Sequence, residues 1–250
     1  MMDDSDLQLN GAIISEVNLA DHEDWAEVTE PPRPDPDEML ALLTAEDVTQ
    51  RMLAARAFCE IEDARAVPAL INLLSSSCPL VRVSAAYALG RNPSPSAVEP
   101  LIQQLEQDWN GYVRKGVTWA LGNCRDSRSL LPLTETLLTD ISAVRLWAAS
   151  SLGQMAEVSI EAATQAVPPL VKALTVDAMA VVRSNAAWAL GQLCRAIPVD
   201  QTYSQAIDAL ISALEDEDMG VQEDARAALV KLGDARGLEA IETQELEGLI

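Results

Sequence analysis

One ten-residue pattern is written along the chain six times. VRVSAAYALG (81–90) returns as VRKGVTWALG (113–122), VRLWAASSLG (144–153) and VRSNAAWALG (182–191). A weaker form, QRMLAARAFC (50–59), precedes these copies, and VQEDARAALV (221–230) closes the series. The arginine that opens each copy falls at 51, 82, 114, 145 and 183, with Gln222 in the sixth place, so the steps are 31, 32, 31, 38 and 39 residues. Ahead of each copy stands a second recurring segment: DEMLALL (37–43), AVPALINLL (66–74), AVEPLIQQL (97–105), SLLPLTETLL (129–138), AVPPLVKAL (166–174) and AIDALISAL (206–214). Self-similarity at such a period predicts stacked helical hairpins, each of which buries its apolar stripe against its neighbours.

The parts of the unit have local physical roles. Pro68, Pro100, Pro132 and Pro168 are expected near the start of the first helix, where a missing N–H costs nothing. Asp108, Asp140, Asp177 and Asp216 lie in the turn before the second helix. Each can cap that helix or pair with an Arg of its own or the next unit. The small pairs Ala85–Ala86, Ala148–Ala149 and Ala186–Ala187 allow close helix approach. Gly90, Gly122, Gly153 and Gly191 suit either a left-handed helix end or a close-packing position. The two longer steps come from inserts at 155–165 and 193–205, expected to lengthen a helix end or the loop between units.

Composition narrows the class of function. The chain has 39 Asp and Glu against 17 Lys and Arg, a net charge of −22. That balance argues against nucleic acid and against an anionic membrane surface. Ten of the acids fall in residues 1–35 and eleven in 215–250, so the array between is only mildly acidic. Residues 1–35 read as an acidic, flexible entry segment, 36–240 as the repeat array and 241–250 as an acidic tail. Whether residues 1–35 dock into the array is left open by the sequence. No apolar run is long enough for a membrane span and no leader pattern opens the chain, so a cytoplasmic protein is expected. The four cysteines show neither a CxxC spacing nor disulfide density. Cys59, Cys124 and Cys194 recur near second-helix ends, weak candidates for a metal shared with a partner. His22 is the single histidine, which leaves no His-based triad or His-rich metal site. No catalytic residue and no resident cofactor is expected.

The paired helices, the Pro of the first, the Asp before Val-Arg and the closing Ala-Leu-Gly together resemble HEAT repeats. More narrowly they are similar to the short phycobilisome-lyase type of HEAT repeat. The resemblance spans residues 36–240 and implies an all-α fold, a right-handed α-solenoid of about six hairpins whose second helices line the concave face. On a wheel of 100° per residue, Val81, Ala85, Ala88 and Leu89 share one arc and Tyr87 lies nearly opposite. Tyr87, Trp119, Trp147 and Trp188 then form a stripe on that face, with Arg91, Asn123, Gln154, Asn185 and Gln192 beside them. These aromatics either fill gaps between adjacent repeats or make a partner-binding groove. Trp109, in the turn DWNG (108–111), is separate from them.

Two functions follow from the resemblance. Through QRMLAARAFCEIEDARAVPALINLL (50–74) the chain resembles a cyanobacterial HEAT-repeat adaptor, which implies binding of another protein, an A-type iron–sulfur carrier. The alternative is a phycobilin lyase subunit of the CpcE or CpcF kind, or a phycobilisome assembly or degradation factor. Those would bind a phycobiliprotein and, transiently, phycocyanobilin. Such lyases carry an aromatic-rich second helix in an early repeat, where this chain reads MLAARAFCEI (52–61). The di-iron deoxyhypusine hydroxylases of the same repeat class need His-Glu pairs that this chain lacks.

Overall fold

The computed structural model describes residues 34–246 and 248. Six antiparallel hairpins follow one another: α1 (Pro36–Leu42) with α2 (Val48–Ala57), α3 (Val67–Leu73) with α4 (Pro79–Arg91), α5 (Pro95–Gln107) with α6 (Gly111–Cys124), α7 (Leu130–Thr139) with α8 (Ser142–Gly153), α9 (Ile160–Val176) with α10 (Ala180–Cys194), and α11 (Gln201–Ser212) with α12 (Met219–Leu232). A thirteenth helix, α13 (Ala235–Leu246), packs on the last hairpin. No strand occurs among the described residues, and the architecture is an α-solenoid. None of the described helices is long and apolar enough to cross a membrane.

Side-chain caps start many of the helices. Asp35, Asp47, Ser94, Asn110, Ser159, Asp200 and Asp218 each accept a hydrogen bond from a backbone N–H of the following first turn. Two of these caps change the expected place of the prolines. Pro68 and Pro132 fall in the first turn of α3 and α7, but Pro100 and Pro168 lie inside α5 and α9. Ser94 and Ser159 begin those helices further upstream, and the first insert, 155–165, supplies the extra turns of α9. An interior proline removes one bond to the carbonyl four residues back.

The core runs along the array as one apolar cluster. Val81, Ala85, Ala88 and Leu89 are completely buried, as are their equivalents Ala120, Leu121, Ala189 and Leu190. Second helices pack on one another far more extensively than first helices do, so the second-helix layer is the inner one. The reason is the glycine that closes each copy. A Cβ on Gly90 would meet the Cα of Ala120 at 3.1 Å, one on Gly122 the Cα of Ser151 at 3.0 Å, and one on Gly153 the Cα of Ala189 at 3.1 Å. These glycines are close-packing positions. The left-handed helix end falls elsewhere, at Gly233 after α12 and at Arg125 after α6.

The hairpin turns are joined by a ladder of ion pairs. Arg82 binds Asp108, Arg114 binds Asp140, Arg145 binds Asp177 and Arg183 binds Asp216, each through Nε and Nη2 at 2.7–2.9 Å. In every rung the arginine belongs to one unit and the aspartate to the next. The third nitrogen, Nη1, donates to a carbonyl of the arginine's own turn: Ser76, Asp108, Asp140 or Asp177, at 2.8–2.9 Å. The carboxylates also accept turn N–H groups, from Asn110, Ile141, Met179 and Asp218. Each bidentate pair therefore clamps two successive turns at nearly full hydrogen-bond capacity. The ladder ends where the sequence ends it. Ser76 replaces the aspartate that Arg51 would meet, and Gln222 replaces the last arginine, donating to the Asp216 carbonyl.

A second, single device ties units one and two. Buried Asn92 directs its amide nitrogen toward the carbonyls of Phe58, Ile61 and Ala88 and accepts the Asp63 N–H at 2.7 Å. At the other end α13 buries Ile241 and Gln244 against α11 and α12. The boundary expected at residue 240 thus lies inside a helix.

Three outcomes follow for stability. The Arg183 guanidinium holds the Asp216 carboxyl below its usual range against the opposing effect of burial. For Asp177 burial alone would raise the carboxyl, but the hydrogen bonds from Arg145 and Met179 lower it. A carboxyl lowered on folding stabilises the fold above its unfolded value, about 3.9, and that stabilisation disappears as pH falls through the folded values. The melting temperature should therefore drop on acidification below about pH 4. Asp177→Asn should cost roughly 2–3 kcal/mol at neutral pH, because it leaves a half-buried guanidinium unpaired, and should flatten that acid drop. Gly122→Ala should lower stability by about 1–3 kcal/mol in urea denaturation, the steric clash outweighing the gain in helix propensity.

Candidate functional site

The inner layer presents three positions of each second helix, two, five and nine residues after the repeat's arginine, spaced so that they share one face. At the fifth position stand Arg56, Tyr87, Trp119, Ser150, Trp188 and Ala227. Tyr87 and Trp119 are half-buried, with ring centroids 5.5 Å apart and planes inclined at 44°. The Trp119 ring lies over Gly90 of the preceding unit, and the Trp188 ring lies over Gly153. The bare glycine thus serves twice: it admits the neighbouring backbone and gives the ring a flat seat. Trp188 is 40% exposed. Trp147 occupies the second position of its helix, where Lys115 places its ammonium 5.7 Å from the ring centroid, within cation–π range.

The polar residues of the face bind partly to one another. Asn123 donates to the Gly90 carbonyl at 3.1 Å, and Gln154 donates to Asn123 at 3.5 Å. Asn185 accepts from the Ser150 hydroxyl at 2.6 Å and donates to the Val181 carbonyl. Gln192 accepts from Arg195. Arg91 lies 3.6 Å from Glu62, both side chains being exposed. These amides link successive inner helices and keep further hydrogen-bonding capacity toward solvent.

The structure divides the expected stripe into hollows. Tyr87, Arg91 and Trp119 line one of about 310 Å³ together with Arg56, Cys59 and Ser84. Asn185 and Trp188 line another of about 320 Å³ with Ser150, Ser184 and Asp224. Gln192 and Trp188 border a narrow cleft beyond it. Trp147, Asn123 and Gln154 line neither hollow and sit between them. A larger hollow of about 430 Å³ lies away from the aromatics, on the ladder edge among Glu106, Asp108, Arg114 and Asp140. Arg56 and Asp224 were not singled out as site residues by sequence, yet both occupy positions equivalent to aromatics or amides in other units. Repeat register was the signal that could have found them.

The cysteines do not converge. Cys59 borders the Tyr87–Trp119 hollow, Cys124 points at the Ser94 carbonyl at 4.0 Å, and Cys194 is buried. Burial raises all three thiols, Cys194 to about 12. Thiols held protonated are poor metal ligands. Among the described residues no three His, Cys, Asp or Glu side chains come together to hold a metal. Trp109 in the α5–α6 turn and Tyr112 in the first turn of α6 stand exposed, and neither lines a hollow of the stripe.

A family model for HEAT repeats matches residues 36–115, 98–191 and 167–244. The chain is a HEAT-repeat protein. Solved structures agree on the fold. An engineered protein is 27% identical over 80% of this chain and 98% of its own, with a TM-score of 0.62. The complex of CpcE and CpcF of phycocyanin lyase from Nostoc sp. PCC7120 is 24% identical over 86% and 83%, with a TM-score of 0.59. A designed armadillo repeat protein in complex with the peptide (KR)4 is 22% identical over 80% and 100%, also at 0.59. No curated protein matches the sequence significantly.

The HEAT stripe divides into rings with different structural weight. Trp119 is wedged between Gly90 and Tyr87, whereas Trp188 leaves much of its ring in solvent. Trp119→Ser should therefore cost about 2–3 kcal/mol and Trp188→Ser about 1 kcal/mol or less, a difference that thermal denaturation followed by circular dichroism will register.

Proposed function

We propose that this HEAT-repeat protein is a non-catalytic scaffold or adaptor whose inner face holds a partner protein. One observation carries the reading: half-exposed aromatics, interleaved with amides, stand on four successive inner helices. Large amphipathic rings on a rigid layer present contact area at small entropic cost. Proteins of the same fold are compatible with it. The designed armadillo protein holds a peptide, and CpcE is found in complex with CpcF. The partner proposed is an A-type iron–sulfur carrier, on the resemblance of residues 50–74 to the cyanobacterial HEAT-repeat protein IaiH. A cytoplasmic setting goes with that reading.

The second reading is a phycobilin lyase subunit, or a phycobilisome assembly or degradation factor, binding a phycobiliprotein and transiently phycocyanobilin. The fold likeness to the CpcE–CpcF complex favours it. Against it stands the first unit, whose one aromatic, Phe58, is fully buried and offers no ring to a pigment.

The test is capture from cyanobacterial lysate by wild type beside a folded Trp119→Ser/Trp188→Ser variant, with a parallel titration of phycocyanobilin. The adaptor reading expects an iron–sulfur carrier bound by wild type, at least about tenfold more weakly by the variant, and no change in pigment absorbance. Recovery of phycobiliproteins with a red-shifted pigment band supports the lyase reading. Equal recovery by both proteins assigns the rings to packing and removes the site.

A further inference from the structure

The charge of the inner face opposes that of the molecule. Among 39 acidic residues, none falls on the inner-facing positions of the four central second helices, counted as those of Val83, Ser84, Tyr87 and Arg91 and their equivalents in α6, α8 and α10. The charged residues on those positions are Arg91 and Lys115. Acids resume only at the two ends of the stripe, as Glu60, Glu223 and Asp224. Solvation alone places charges of either sign on exposed helix faces, so a face cleared of one sign in so acidic a chain has a recognition consequence.

The cations gather at one place. Arg56 of α2 and Arg91 of α4 both border the hollow of about 310 Å³ that Tyr87 and Trp119 wall. Arg56 makes no ion pair among the described residues. Arg91 meets only Glu62, at 3.6 Å between two exposed side chains, a contact a competing carboxylate can replace. The two guanidiniums supply donors and the aromatic rings an apolar surface to the same hollow. The hollow is too small for a folded surface and suits one or two side chains of a protruding segment.

We infer that this hollow is the anchor subsite for an acidic residue of the partner, a Glu or Asp carried on an extended segment with an apolar neighbour. The carboxylate is bound between Arg56 and Arg91, the neighbouring side chain rests on Trp119 and Tyr87, and the segment continues along the amide-lined face toward Trp147 and Lys115. This rests on the protein-binding reading above and names the chemistry its partner must show.

The experiment uses the full chain to select from a displayed library of random dodecapeptides at physiological salt, beside Arg56→Gln/Arg91→Gln and Trp119→Ser/Trp188→Ser variants whose folding is checked by thermal denaturation. Both arginines are exposed, so the double glutamine variant should melt like wild type. Wild type should enrich peptides with an acidic residue next to an aromatic or branched aliphatic one, despite the overall repulsion of acidic peptides. A synthetic member should lose at least about tenfold in affinity on Arg56→Gln/Arg91→Gln, and equally when its own Glu becomes Gln. If the arginine variant selects the same sequences, or the glutamine peptide binds as tightly, the carboxylate subsite is wrong. Enrichment of uncharged peptides that only the tryptophan variant loses overturns the subsite and leaves the groove reading intact. No enrichment beyond that of the tryptophan variant overturns both.

Discussion

The Arg–Asp ladder is the interaction on which the rest of the structure depends. A solenoid has no closed core, so each unit must be fixed against the next by contacts that repeat. Here a guanidinium spans two units with three donors. Two meet the aspartate of the following turn and one meets a carbonyl of its own turn. Hydrophobic contact between hairpins is non-directional. The bidentate geometry adds what that contact lacks, a defined rotation between units. The cost of taking the charges partly out of water is met because nearly every lone pair and donor in each rung is used.

On the opposite edge of the second helices the same rotation is set by glycine. The inner layer closes up wherever Gly90, Gly122, Gly153 or Gly191 meets an alanine or serine of the next unit. Ladder and glycines together fix the inner helices closely enough that rings on adjacent units touch, as Tyr87 and Trp119 do. The proposed partner surface is thus an outcome of how tightly the scaffold packs, and changes of the scaffold and of the surface are coupled through the rings seated on the glycines.

Much of this was legible in the sequence. The six copies announced the hairpins, and the wheel placed Val81, Ala85, Ala88 and Leu89 inside and Tyr87 outside, because a 3.6-residue period is a local property of one helix. The turn aspartates were recognisable as caps or arginine partners. The choice between the two was not: Asn110 and Asp218 cap α6 and α12, no side chain caps α8 or α10, and each turn aspartate binds the arginine of the preceding unit. Pro100 and Pro168 were misplaced because Ser94 and Ser159 start their helices upstream, a choice between caps that a repeat pattern aligned on the second helix does not weigh. Asn92 had no signal at all: its partners in the first unit and the turn after it lie 29 to 34 residues back and meet it only once α2 and α4 are stacked.

The sequence by itself determined that this chain is an array of helical hairpins, which residues each hairpin buries, and that a row of aromatics faces away from its own partner helix. Only the tertiary structure decided that each aspartate serves the preceding arginine, that the glycines pack rather than terminate, and that Arg56 and Arg91 border one aromatic hollow. The physical reason is the rotation between successive units. It is the sum of many small contacts across the hairpin interface, none written in any single repeat, and it decides which side chains of different units come within reach of one another.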